Sequence, residues 1–247
     1  MSGLKTLRFR RRTSQAVEAQ GRPRYLLDMM VDSTPTALLL IFDLDGTLYR
    51  TESSFVRTMR RVYAERRLPY PGDAAILGMV GETFETFLDW LIAQGFHGGR
   101  EELQEEIGRA EMEAIREHGK LYDGVPETLR ELRLRGCLLA LCTNGDRRYV
   151  DAVLGCGGIL SLFTRLSTLE PGGRSKSERV GDLIGEFRPR LPIMVGDRYH
   201  DVEAARANGC RMVGALYGYA RDGELASADA TIASFPELLA VVAQWAH

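Results

Sequence analysis

With 247 residues, 45% of them hydrophobic and 27% charged, the chain has the material for one sizeable core or a core with a modest insert, and not for a disordered or fibrous protein. A formal net charge of −2 provides no basic field of the kind nucleic acid requires, and no apolar run approaches the length of a membrane span. Cys137, Cys142, Cys156 and Cys210 show neither Cys-x-x-Cys spacing nor a paired His, which reads as free thiols in a reducing, cytoplasmic setting.

In chain order, residues 1–36 form a basic extension in which Arg8, Arg10, Arg11 and Arg12 cluster. It lacks the apolar centre of a secretory signal, and Glu18, Asp28 and Asp32 count against a transit peptide. Residues 37–42 are an unbroken apolar run, the mark of a strand covered on both faces. Further runs of this kind are expected at 137–142, 191–195, 211–216 and, more weakly, 230–233, each ending in a turn-forming or polar residue. Helical patterns at 126–135, 175–187, 201–207 and 236–246 lie between and after them. Pro126 and Pro236 suit first turns, and Gly136 and Gly209 suit helix stops. Strand followed by helix, repeated, predicts a doubly wound α/β core with a parallel sheet.

Residues 53–120 break that rhythm. They hold amphipathic helices at 53–67, 82–94 and 100–119, with breaks at Pro69-Tyr70-Pro71-Gly72 and at 95–99. The expected division is therefore a core of 37–52 and 121–247 with a helical cap of 53–120 over the carboxyl rim of the sheet. Phe84, Phe87, Trp90 and Leu91 have the spacing of a packed helix face, and Arg57, Arg60 and Arg61 read as a solvated face. The segment Gly78-Met79-Val80-Gly81-Glu82 is placed to reach a ligand on the rim.

Four features fall where strands end or helices begin, the edge at which open α/β sheets hold ligands. Phe42-Asp43-Leu44-Asp45-Gly46-Thr47 closes the first strand, and Thr143-Asn144-Gly145 follows the second. Lys176 opens a helix after a Gly/Ser loop, and Gly196-Asp197-Arg198-Tyr199-His200-Asp201 follows the strand ending at Val195. Four acids on one rim repel unless neutralised. A hard divalent cation resolves that repulsion and takes a substrate phosphate oxygen as a further ligand, while the lysine and the Thr143 hydroxyl face the remaining phosphoryl oxygens, which points to phosphoryl transfer. His200 needs no part in it.

Asp43-Leu44-Asp45-Gly46-Thr47, Thr143-Asn144, Lys176, and Gly196-Asp197 with Asp201 resemble, in order, the four motifs of the haloacid dehalogenase-like (HAD) hydrolases. The likeness runs from about Ala37 onward. The long interval between the first two motifs is similar to the phosphoglycolate phosphatase-like branch, with its helical cap. The resemblance implies a nucleophile at Asp43 that forms an aspartyl-phosphate, and a general acid and base at Asp45. It implies phosphate binding by Thr143, Asn144 and Lys176. Mg²⁺ would be held by Asp43, Asp45 (through its backbone carbonyl) and Asp197, with Asp201 in support. Ser177 stands where many relatives carry Pro after the lysine, but 121–247 contains no other lysine, leaving Arg174 and Arg179 as the nearby cations.

An acid at position 45 argues against dehalogenation, whose halide leaves unprotonated. The absence of lysine from 53–119 argues against phosphonate hydrolysis through a Schiff base. The expected function is hydrolysis of a small phosphorylated metabolite; the alternatives are a sugar-phosphate mutase and a non-enzymatic binding module.

Overall fold

The computed structural model describes residues 38–170 and 172–246. The expectation for 1–36 lies outside them. Six parallel strands form one sheet in the order β3-β2-β1-β4-β5-β6. They are β1 (Leu39–Phe42), β2 (Leu138–Cys142), β3 (Arg165–Ser167), β4 (Pro192–Gly196), β5 (Arg211–Ala215) and β6 (Ala230–Ile232).

β1 lies at the centre, with Phe42 in register with Leu141 of β2 and Val195 of β4. The residues just beyond those three, Asp43, Cys142-Thr143 and Gly196-Asp197, therefore emerge side by side along one edge. Alternation along each strand divides the core in two. Leu40 and Phe42 pack with α5 (Val125–Leu134), α6 (Arg147–Cys156) and α9 (Leu238–Trp245). Leu39 and Ile41 pack on the other face with α7 (Lys176–Phe187) and α8 (Tyr199–Ala207). Burial on both faces explains why the central strands are continuous apolar runs.

α1 (Phe55–Glu65), α2 (Asp73–Leu77), α3 (Phe84–Ala93) and α4 (Arg100–His118) share a third hydrophobic cluster. Met59, Val62, Tyr63, Phe87, Leu91, Phe96 and Ile107 are buried in it, and Phe84 and Trp90 pack against it, as their spacing anticipates. Among the described residues, no helix is long and apolar enough to cross a membrane.

Three elements have no counterpart in the sequence expectations: α2, α6 and β3. β3 is an edge strand of three partly exposed residues, Arg165-Leu166-Ser167, and pairs only with β2. A search for buried apolar runs passes over a strand that water reaches on one side.

Candidate active site

The turn after β1 is tight. Leu48 and Tyr49 both donate their N–H to the Leu44 carbonyl at 2.9 Å, and Gly46 donates to Tyr49 at 3.0 Å. Gly46 has φ +74°, and a Cβ there would collide with the Asp197 carboxylate and the Tyr219 ring. Only glycine satisfies both the backbone sign and the close approach. The turn thereby brings the loops after β1 and β4 together.

Asp43 is 3% exposed. Lys176 donates to Asp43 Oδ1 at 2.8 Å and to Asp201 Oδ1 at 2.6 Å. A capping box in which the Ser175 hydroxyl and Glu178 satisfy each other's backbone N–H starts α7 one residue before the lysine. Asp201 Oδ2 accepts the N–H groups of Asp197 and Arg198 at 3.1 and 3.0 Å. Asp197 accepts from the Thr47 hydroxyl at 3.2 Å and the Tyr219 N–H at 2.6 Å. Asp43, Asp197 and Asp201 each offer a carboxylate oxygen, and these lie within 4.8 Å of one another.

Burial raises the Asp43 carboxyl to about 7, against the opposing pull of Lys176. Burial, then the charges of Asp43 and Asp201, push Asp197 well above the ordinary carboxylate range. Burial disfavours the Lys176 ammonium, but Asp201 and Asp43 outweigh it and hold the lysine above its usual value. Three buried carboxylates thus face one ammonium. Their hard oxygen donors and missing positive charge fit a divalent cation of the Mg²⁺ kind.

Asp45 turns to a different set of partners. Its Oδ1 accepts from Thr51 Oγ1 at 2.7 Å and from Tyr149 Oη at 2.5 Å. Burial raises its pKa while those two bonds lower it, with burial the larger effect. Glu111 of α4 is pushed to about 8 by burial and then by the charges of Asp45 and Asp146.

Thr143 is 1% exposed, and its hydroxyl accepts the Gly145 N–H at 3.1 Å. Asn144 does not turn its side chain to the acids: Nδ2 donates to the Gly81 carbonyl at 3.1 Å and Oδ1 accepts from Arg179 at 2.8 Å. Arg179 also donates to the Thr143 carbonyl at 2.7 Å, so it braces the loop after β2 from α7. Arg174 lies instead on the surface with Asp182 and Glu178.

The 78–82 segment lies against the rim. Arg198, 1% exposed, donates to the Val80 carbonyl, to Glu82 at 3.3 Å and to Glu224 at 3.0 Å. His200 faces Glu82 at 3.5 Å and is not in the acid cluster. Arg60 and Arg61 are exposed and pair with Asp73, Glu65 and Glu113. Thr51 and Tyr149 carry no periodic signal in the sequence, while Thr47 and Arg198 lie inside motif segments that give them no role of their own. An arginine directly after Gly-Asp, where a buried strand ends, is the one local anomaly that marks Arg198.

A family model for haloacid dehalogenase-like hydrolases matches residues 40–215. This chain belongs to that family. A phosphoglycolate phosphatase from Haemophilus influenzae is 30% identical over 197 residues, covering 73% of this chain and 86% of that one. One from Mannheimia succiniciproducens is 30% identical over 218 residues, covering 83% and 97%. Among solved structures, a protein described as a predicted phosphoglycolate phosphatase from Haemophilus somnus aligns with a TM-score of 0.71 at 25% identity, over 84% of this chain and 98% of that one. A haloacid dehalogenase-like hydrolase from Streptococcus pneumoniae aligns at 0.72 with 20% identity, over 83% and 98%, and shares the fold. The chain is a hydrolase of the phosphatase kind, built on the doubly wound α/β core its motifs implied.

Proposed function

We propose that the chain is a Mg²⁺-dependent phosphatase that hydrolyses a small phosphomonoester through an aspartyl-phosphate. The observation that carries this reading is the pairing of Asp43, bound to Lys176 at 2.8 Å, with a second acid two residues on that is held by other partners. One acid is placed to attack and the other to move a proton.

In the first step an Asp43 oxygen attacks phosphorus, and the bond from phosphorus to the ester oxygen breaks. Asp45 gives its proton to that departing oxygen, which leaves as an alcohol. Asp45, now a carboxylate, then takes a proton from water as the water oxygen attacks the phosphorus. The bond to Asp43 breaks, and inorganic phosphate and free Asp43 result. Lys176 offsets negative charge on Asp43 and the phosphoryl oxygens throughout. Thr143 and the backbone after it hold the phosphoryl group, while Asn144 acts by tying that loop to Gly81.

Asp43, Asp197 and the Asp45 carbonyl would hold Mg²⁺, with Asp201 in support; the ion supplies charge stabilisation to the transferring group. Residues 53–120 act as a cap on the core of 37–52 and 121–247. Its 78–82 segment, bonded to Arg198 and Asn144, keeps water from the acids while the ester is bound.

A panel of small phosphate esters, headed by phosphoglycolate, assayed with and without Mg²⁺ tests this. Release of inorganic phosphate only with the ion is the expected outcome. Conversion between sugar-phosphate isomers without phosphate release would replace it with the mutase reading.

A further inference from the structure

Every polar contact of the Asp45 carboxyl falls on one oxygen. Oδ1 accepts from both Thr51 and Tyr149, at 2.7 and 2.5 Å, and among the described residues Oδ2 has no hydrogen-bond partner. A carboxyl oxygen has two in-plane lone pairs, and two donors occupy both. A proton on Asp45 must then sit on Oδ2.

Tyr149 is itself held in place by its surroundings. Its N–H bonds the Asp146 carboxylate at 2.8 Å, which caps α6 and places Tyr149 in the helix's first turn. Gly145 leaves room for the ring, since a Cβ there would come within 2.8 Å of Tyr149 Cδ1. Tyr49 meets the ring edge-on at 6.4 Å and 78°. The side chain is almost wholly buried, so the hydroxyl has little freedom to leave Asp45.

We propose that Tyr149, together with Thr51, is a positioning residue that clamps Asp45 through Oδ1 and dedicates Oδ2 to proton exchange with the leaving oxygen and the attacking water. This rests on the phosphatase reading above and extends it to a residue outside the four motifs. The chain that follows β2 thereby has two tasks: Thr143, in the loop, serves the phosphoryl group, and six residues later Tyr149, in the first turn of α6, aims the acid.

The test compares two esters by kcat/KM, which reports events up to loss of the leaving group. An alkyl phosphate needs a proton delivered to its alkoxide; 4-nitrophenyl phosphate releases a phenolate that does not. Tyr149→Phe should lower kcat/KM about 10- to 100-fold for the alkyl ester and less than about threefold for the nitrophenyl ester. Thr51→Val should show the same selectivity, and provides the result if Tyr149→Phe melts far below the wild type. Equal losses on both esters would make Tyr149 merely structural and overturn the proposal, as would undiminished alkyl phosphate turnover in both variants. Failure of the wild-type protein with Mg²⁺ to hydrolyse either ester would instead bring down the phosphatase reading.

Discussion

On the outer face of α1, Arg60 and Arg61 pair with Asp73, Glu65 and Glu113 while more than half exposed to water. At the carboxyl rim of the sheet, Lys176 and Arg198 make the same kinds of contact with almost no exposure. The geometry is alike in the two regions, and the consequences are not. Water already solvates the α1 charges, so their pairing adds little. The rim charges have lost their water, and each partner removed strands a buried charge. What the contrast teaches is that burial, rather than the presence of a bond, decides which ion pairs matter here.

Asp43→Asn should abolish turnover, by about 10⁴-fold or more in kcat, with an unchanged circular dichroism spectrum. Residual phosphate release above a thousandth of wild type would remove Asp43 as nucleophile. Lys176→Met should cost about 3–5 kcal/mol in urea unfolding of the metal-free protein, because Asp43 and Asp201 lose the ammonium they share. A loss below about 1 kcal/mol would put the rim on the same footing as the surface. Arg198→Met should cost about 2–3 kcal/mol and raise KM more than it lowers kcat, since it releases Glu82, Glu224 and the Val80 carbonyl together.

Asp43 is raised to about 7 in the folded protein, so folding binds a proton that the unfolded chain has lost. For such a group the stabilisation is complete below the unfolded carboxylate pKa and fades as pH rises through about 7. On the proposed function, Mg²⁺ would take the place of that proton. Thermal melts should therefore show a larger Mg²⁺-induced rise in Tm at pH 8 than at pH 5; an equal or smaller rise at pH 8 would mean the ion does not engage this carboxylate. The smallest effect should come from Arg61→Ala, whose urea midpoint should stay next to that of the wild type; a clear drop would show that the surface pairs matter too.

Legibility in the sequence followed the same divide. The strands that lie mid-sheet read directly because both faces are covered, which forces every position to be apolar. Asp43, Asp45 and Asp197 stood out because a charge at the end of such a run is costly without a purpose. Arg60 and Arg61 were read as a solvated face, and they are one. Tyr149, Thr51 and Arg179 were given no site role, because each acts across an interval that no local pattern encodes. Asp45 and Tyr149 are 104 positions apart and joined by one hydrogen bond. The Asn144 side chain ties the loop after β2 to Gly81, 63 positions away, a contact that no local pattern encodes.

The family, the parallel core and the order of the acids and the lysine along the chain are legible in the amino-acid order alone. Those depend on local periodicity and on short motifs, which survive in one dimension. Only the tertiary structure decided how the charges are divided: Lys176 between Asp43 and Asp201, and Tyr149 and Thr51 on a single oxygen of Asp45. That division is set by which strand ends lie in register and by which loops meet over them, and neither is written in any one segment of the chain.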